Sequence, residues 1–432
     1  MNIRQRALKG KNSSMAIPTP LPLPNDELAA WLRLATARGL SPETLRALLA
    51  AFGLPQRLFA QSFTALAAVA GEKAARAVLM PPAPGFAQQL DALAEWRSEP
   101  DCTVLTLADP AYPQRLLTTP DPPPLLYVKG QIERLYRRGI AVIGSRSATP
   151  QGLDDAQHFA RAFSAAGFVV VSGMALGIDG AAHGGALDVR DEFASGGTVA
   201  VFGTGIDVVY PSRHRALADQ IVARGALLSE WPLGTPARPA NFPQRNRLIA
   251  GLVEGVVIVE ATERSGSLIT ARLANEMGRD VFALPGSIHA PCSRGCHRLL
   301  KEGAQLVETP DEVMEALGVL TATASLRSSD PAKKILRHPV THPLDVQQRA
   351  TRHPVTVAQK PLPLSPSRTP LNAESQQVLA ALGHTATAFE TLAERTGMNE
   401  ATLQSALLRL ELSGHLCTLP GGWFARVGHQ RD

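Results

Sequence analysis

The chain has 432 residues, 45% apolar and 19% charged, which exceeds one ordinary domain and leaves room for two or three with a sizeable core. A net charge of +5 and a pI near 9.2 do not by themselves point to nucleic acid: residues 1–24 hold four Arg/Lys and no acid, residues 319–370 hold eight against two Asp, and the remainder is net −5. Four cysteines (Cys102, Cys292, Cys296, Cys417) are too few for a disulfide scaffold and fit a reducing cytoplasm, and no apolar stretch approaches the roughly 18–20 residues that span a bilayer.

Residues 1–24 begin basic and pass into the proline-rich "IPTPLPLPN", which cannot form the helical apolar core of a signal peptide; they read as a disordered leader on a cytoplasmic protein. Residues 25–98 are rich in Ala and Leu at helical spacing. In "LSPETLRALLAAFGLPQ", Ser41 is placed to cap a helix, Pro42 suits its first position and Gly53 ends it, as in a small helical domain of helix-hairpin-helix or sterile-alpha-motif type.

From 99 to 318 the pattern changes to short apolar runs alternating with amphipathic stretches. "GIAVIG", "FVVVSG", "TVAVFG", "ALLSEW", "GVVIVEA" and "DVFALPG" read as strands, with helices over 151–166, 213–224 and 265–277. This alternation predicts an α/β fold, a Rossmann-like doubly wound and mostly parallel sheet whose ligands sit at the carboxyl ends of the strands.

Residues 319–370 contain eight prolines and no sustained periodicity, and the string "RHPVT" occurs at 337 and at 352; this is the composition of an extended basic linker. From 371 to 428, three short helical segments precede two strands joined at "PGG", the plan of a winged helix, with Asn399 capping the third helix and Gly414 ending it.

Chemistry-bearing groups cluster after the strands. "GSRSATPQG" puts Ser145, Arg146 and Ser147 in a loop feeding a helix that begins near Gly152, a phosphate-binding arrangement or simply a turn; it is neither a dinucleotide fingerprint nor a P-loop. "SGMALGIDGAAH" brings Gly173 and Gly177, which permit close backbone approach, Asp179, which can orient the loop, and His183, which reads as a packed, hydrogen-bonded histidine. "GTGIDVVYPSRHRAL" supplies Tyr210 beside Arg213 and Arg215, an aromatic face and two cations of the kind a single strand needs, or else a solvated helix start.

"NFPQRNRLIAG" crowds Arg245, Asn246 and Arg247 at what reads as the first turn of a buried helix, where an anion would belong; the alternative is that an arginine pairs with Glu230 or Glu260. "ATERSGSLITA" makes a hydroxyl-rich helix entry from Ser265, Gly266, Ser267 and Thr270. Five successive strand ends thus present glycine, hydroxyl or arginine groups on one edge of the sheet. The run "HAPCSRGCH" has CxxxCH spacing and no second CxxC pair, so no metal is assigned to it, and no nucleophile with a base or two-metal carboxylate set is marked.

These stretches, in order over about 139–307 and closing with "GCHRLLKEGAQLV", resemble the DNA-processing protein A family, DprA or Smf. The resemblance implies a single-stranded-DNA-binding protein without catalytic turnover or cofactor, which protects incoming DNA and, as a homodimer, loads the RecA recombinase during natural transformation. It also implies a principal phosphate contact at Arg146, a pocket shaped by Gly173, Arg245, Asn246, Arg247, Ser265, Gly266 and Ser267, and a cation after "YP" supplied by Arg213 or Arg215.

Two rivals stand beside it. A nucleotide phosphoribohydrolase of the lysine-decarboxylase-like group should show "PGGxGT" with a nearby Glu, whereas the corresponding region reads "ATERSGSLITA". A duplex-DNA regulator should read the major groove with its third winged-helix segment, which here has one Arg and two Glu.

Overall fold

The computed structural model describes residues 18–37, 39–191, 194–319, 371–383, 386–419 and 422–427. Most of the leader and nearly all of the linker named above, with the tip of the "PGG" turn, lie outside them. The chain divides into two compact units, 1–313 and 314–432.

In the first unit, β3 (Gly139–Ile143) is central. The chain steps outward on one side through β4 (Val169–Ser172), β5 (Thr198–Val201) and β6 (Ala226–Ser229). It then returns to the other side of β3 with β7 (Gly255–Ile258) and β8 (Asp280–Ala283). These six pair in parallel, as the alternating pattern predicts. The reversal of strand order at β3 and β7 opens a crevice above their carboxyl ends.

Three further strands were not legible as strands in the sequence. β1 (Cys102–Thr106) and β2 (Leu125–Gly130) form an antiparallel hairpin added to β6, and β9 (Gln305–Leu306) extends the far edge, giving a nine-stranded sheet among the described residues. β9 has only two residues, too few to show alternation.

The two sheet faces bury different clusters, as the period of two requires. Val199 and Val201 join the core beneath α10 (Asn241–Leu252) and α11 (Ser267–Glu276), while Ala200 joins the opposite core with Ala218 and Ile221 of α9 (Arg215–Arg224). The helices over 25–96 include α1 (Asn25–Thr36) and α2 (Pro42–Phe52), and Ser41 accepts from the Thr44 amide at 3.2 Å with Gly53 at φ 77°, as their residue types predict. Leu28, Trp31 and Trp96 share one buried cluster with Tyr127 and Phe202 of the sheet. Residue 98 is therefore a change of secondary structure and not a break in packing.

In the second unit, α14 (Ala373–Leu382), α15 (Phe389–Thr396) and α16 (Glu400–Leu412) pack around Leu379, Leu392, Leu403 and Leu407. The strands β10 (Thr387–Ala388), β11 (Leu416–Leu419) and β12 (Trp423–Arg426) complete a winged helix. Asn399 caps α16 through the Thr402 amide at 2.9 Å, and Gly414 follows it at φ 72°.

Candidate nucleic-acid interface

A basin of about 740 Å³ lies over the carboxyl ends of β3 and β7, at the point where the strand order reverses. Ser145, Arg146, Arg245, Asn246, Ser265, Gly266, Ser267 and Thr270 line it, so groups from three separate stretches of the sequence converge there. Hydrogen bonds tie the loops together. Ser267 Oγ donates to the Gly144 carbonyl at 2.9 Å, and the Ile178 amide donates to the Ser145 carbonyl at 3.1 Å. Gly177 sits at φ +78°, and a Cβ there would fall 2.3 Å from the Ser145 oxygen, so the close approach of these loops depends on glycine.

Arg146 is exposed, and its guanidinium stands 5.5 Å above the ring of Phe242. The Tyr210 ring, 51% exposed, lies 5.8 Å from Phe242. Two aromatic rings beside a free-standing cation are the groups that suit stacking of unpaired bases and contact with a phosphate backbone. Phe242 carries no functional signal in the sequence, since an aromatic at the start of a helix is usually core, and only the fold turns this ring toward the basin.

Arg245 is 4% exposed and donates through Nη1 to the carbonyls of Gly173, at 2.5 Å, and Val201. Burial lowers its guanidinium to about 10, with the neighbouring Asp179 carboxylate opposing the shift. Burial likewise pushes Asp179 up against the pull of Arg245, and its Oδ2 accepts from the Ala175 amide at 3.1 Å, the loop-orienting role expected of it. Arg245 thus supplies charge from beneath the basin wall.

The remaining expectations are corrected by packing. α10 begins at Asn241, so Arg245 and Arg247 occupy its second turn, away from the positive helix end. Two residues along a helix rotate a side chain by about 200°, so the two arginines leave α10 on opposite sides. Arg247 turns from the basin to Glu230 and, through Nε at 3.1 Å, to Asp121. Burial pushes the Glu230 carboxyl up to about 7 against the pull of Arg247. The alternative of an internal carboxylate partner is therefore the one realised for Arg247.

Gly173 lies against the Arg245 guanidinium and does not line the basin, and Arg213 and Arg215 are exposed outside it. α7 (Pro150–Ala165), the helix after the "GSR" loop, has its entry occupied by the protein's own carboxylate. Glu260 accepts from the Thr149 amide at 3.0 Å and from its hydroxyl at 2.6 Å, and Thr149 caps the Gly152 amide at 3.0 Å. The groups left open to an anion there are Arg146 and the loop, not the helix end.

His183 is fully buried. Thr198 Oγ1 donates to the Val170 carbonyl at 2.7 Å, so His183 Nδ1, 2.7 Å from that oxygen, carries the ring proton. Cys296 is buried against the backbone of β7, and Cys292 lies 3.6 Å from Glu260.

The comparisons with known proteins follow the same residues. The family model described as DNA recombination-mediator protein A matches residues 103–318, and that of the DprA winged helix domain matches 362–422. Protein Smf of Escherichia coli (strain K12) is 36% identical over 329 residues, 76% of this chain and 78% of its own. DNA processing protein DprA of Streptococcus pneumoniae (strain ATCC BAA-255 / R6) is 43% identical over 220 residues, 51% of this chain and 75% of its own. The X-ray structure of DNA processing protein A from Streptococcus pneumoniae matches with a TM-score of 0.56 at 34% identity, over 68% of this chain and 98% of that one. By fold, by the matched stretches and by these relatives, the chain belongs to the DNA recombination-mediator protein A family.

Proposed function

We propose that the chain binds single-stranded DNA in the basin over β3 and β7, protects incoming strands and loads the RecA recombinase onto them during natural transformation, acting as a homodimer in the cytoplasm. The observation that carries the DNA assignment is the ladder of Tyr210, Phe242 and Arg146, with Arg245 beneath it. The exposed Tyr210 ring and the half-buried Phe242 beside it suit unpaired bases, whose faces a duplex keeps stacked. Loading of RecA and dimerisation rest on the family resemblance.

Two features speak against the rival readings. Glu260 and Glu230, the acids at strand ends that a phosphoribohydrolase would need, are taken up by the α7 cap and by Arg247. Residues 371–427 hold three Arg and no Lys against five Glu, and Arg409, the arginine of α16, bonds Ser405 at 3.0 Å, a poor charge set for a duplex reader.

The test is fluorescence anisotropy of a labelled single strand and of the matching duplex over a salt titration, for wild type and Arg146→Ala. Preference for the single strand, lost in the variant, is the expected result; equal affinity for both forms, or an unchanged variant, would defeat the reading. RecA filament assembly on the bound strand, with and without the protein, then tests the loading step.

A further inference from the structure

We propose a second anion site, for a phosphate group, at the end of the sheet opposite the basin, formed by Arg115, Arg138 and Arg279. The register of the sheet creates it. Arg138, Glu254 and Arg279 each immediately precede a strand, and β3, β7 and β8 lie side by side in parallel, with Ile140 opposite Gly255 and Gly255 opposite Asp280. Backbone bonds hold the entry points in a row: the Glu254 amide donates to the Gly139 carbonyl at 2.8 Å and the Asp280 amide to the Glu254 carbonyl at 3.2 Å. One carboxylate therefore stands between two arginines, and Arg115 joins them from the turn of helix at Gln114–Leu117.

Arg138 takes Glu254 through Nε and Nη2, at 2.9 and 2.6 Å to Oε2, while Arg115 takes Oε1, so both carboxylate oxygens are engaged. Arg279 is left with the Thr118 hydroxyl oxygen at 3.4 Å and a buried Nε that has no partner. Burial lowers its guanidinium, the proximity of Arg115 lowers it further, and Glu254 opposes both. Among the described residues, three guanidiniums gather around the Glu254 carboxylate, two of them bonded to it and Arg279 not, in a partly desolvated place where attraction for an anion is stronger than in water.

A phosphate oxygen is the natural complement, because guanidinium donors are planar and matched in spacing to tetrahedral oxyanions. Arg115 and Arg138 keep a third and nearly half of their side-chain surface open, at 33% and 46%, so the group approaches from solvent. The phosphate can belong to a free nucleotide or polyphosphate, or to the backbone of a DNA strand that leaves the basin and passes round the sheet. The second source rests on the function proposed above; the site itself does not.

Thermal-shift and calorimetric titration with inorganic pyrophosphate, at constant ionic strength, tests the site in wild type, Arg146→Ala, Arg279→Gln and Arg115→Gln. Pyrophosphate binding is expected to persist in Arg146→Ala apart from what the basin itself contributes, and the component that Arg146→Ala retains is expected to be about tenfold weaker in the two Gln variants. Binding lost in Arg146→Ala but kept in Arg279→Gln would place the anion in the basin and overturn the proposal, as would a response no larger than that to sulfate. Anisotropy with a short and a long single strand separates the sources. A salt dependence that Arg279→Gln flattens for the long strand alone assigns the site to the DNA backbone. Unchanged DNA binding, with pyrophosphate binding weakened, assigns it to a free phosphate compound.

Discussion

Arg245 and Gly173 form one structural unit: Arg245 Nη1 donates to the Gly173 carbonyl at 2.5 Å, and a Cβ on Gly173 would fall 2.5 Å from the same nitrogen. The glycine is needed for what lies against it and not for its own backbone angles. Gly173→Ala must displace a guanidinium that also holds Val201, so a loss of about 1–3 kcal/mol is expected in urea denaturation, with weaker single-strand binding. An alanine variant as stable as wild type would show that Arg245 is not held there.

Arg146, in the loop after β3, and Arg247, in the second turn of α10, are expected to separate function from stability. Arg146→Ala should leave the unfolding midpoint in place and reduce the slope of log affinity against log salt by roughly 0.7, one single-strand phosphate contact. Arg247→Ala should instead destabilise by about 3 kcal/mol, because Glu230 is left buried without its cation. Chemical denaturation and anisotropy on both variants check this; a reversed pattern would place Arg247 on the DNA and Arg146 in the scaffold.

Phe242→Ala removes a ring and no charge. The expected loss of single-strand affinity is about 1–3 kcal/mol, with the salt slope unchanged. A loss accompanied by a flatter slope would mean that Phe242 acts by positioning Arg146, whose guanidinium stands over it.

Two buried groups give stability a dependence on pH, with opposite signs. Burial lowers His183 from 6.5 to about 3, so as pH falls below 6.5 the unfolded chain binds a proton that the folded chain refuses. Stability is lost across that window, by up to about 1.4 kcal/mol per pH unit. Glu230 is raised from 4.5 to about 7, so the folded chain binds the extra proton between those values and gains stability as pH falls. Denaturation curves at pH 5 to 7 should therefore fall less steeply with acid for His183→Gln than for wild type, and more steeply for Glu230→Gln. Parallel profiles for all three proteins would show that neither group is shifted by burial.

The outline of the fold was legible because it rests on local order. Strands β3 to β7 are short, mainly apolar runs buried along their length, and caps such as Ser41 and Asn399 act within three residues of themselves. The hairpin of β1 and β2 was missed because it lies beside proline-rich chain, and its partner, β6, is about 100 residues away in sequence.

For the site, residue type and place along the chain determined that glycine, hydroxyl and arginine groups would gather at the strand ends, since parallel strands bring all their following loops to one edge. Which of those groups remain available was decided only by tertiary structure. Glu260 reaches Thr149 across 111 positions and fills a helix end that reads as free, and Asp121 and Glu230 claim Arg247 while Arg245, two residues away, turns toward the basin. A buried charge takes whatever counter-charge the fold brings within reach, because leaving it unpaired costs several kcal/mol, and that partner is set by distance in space and not along the chain.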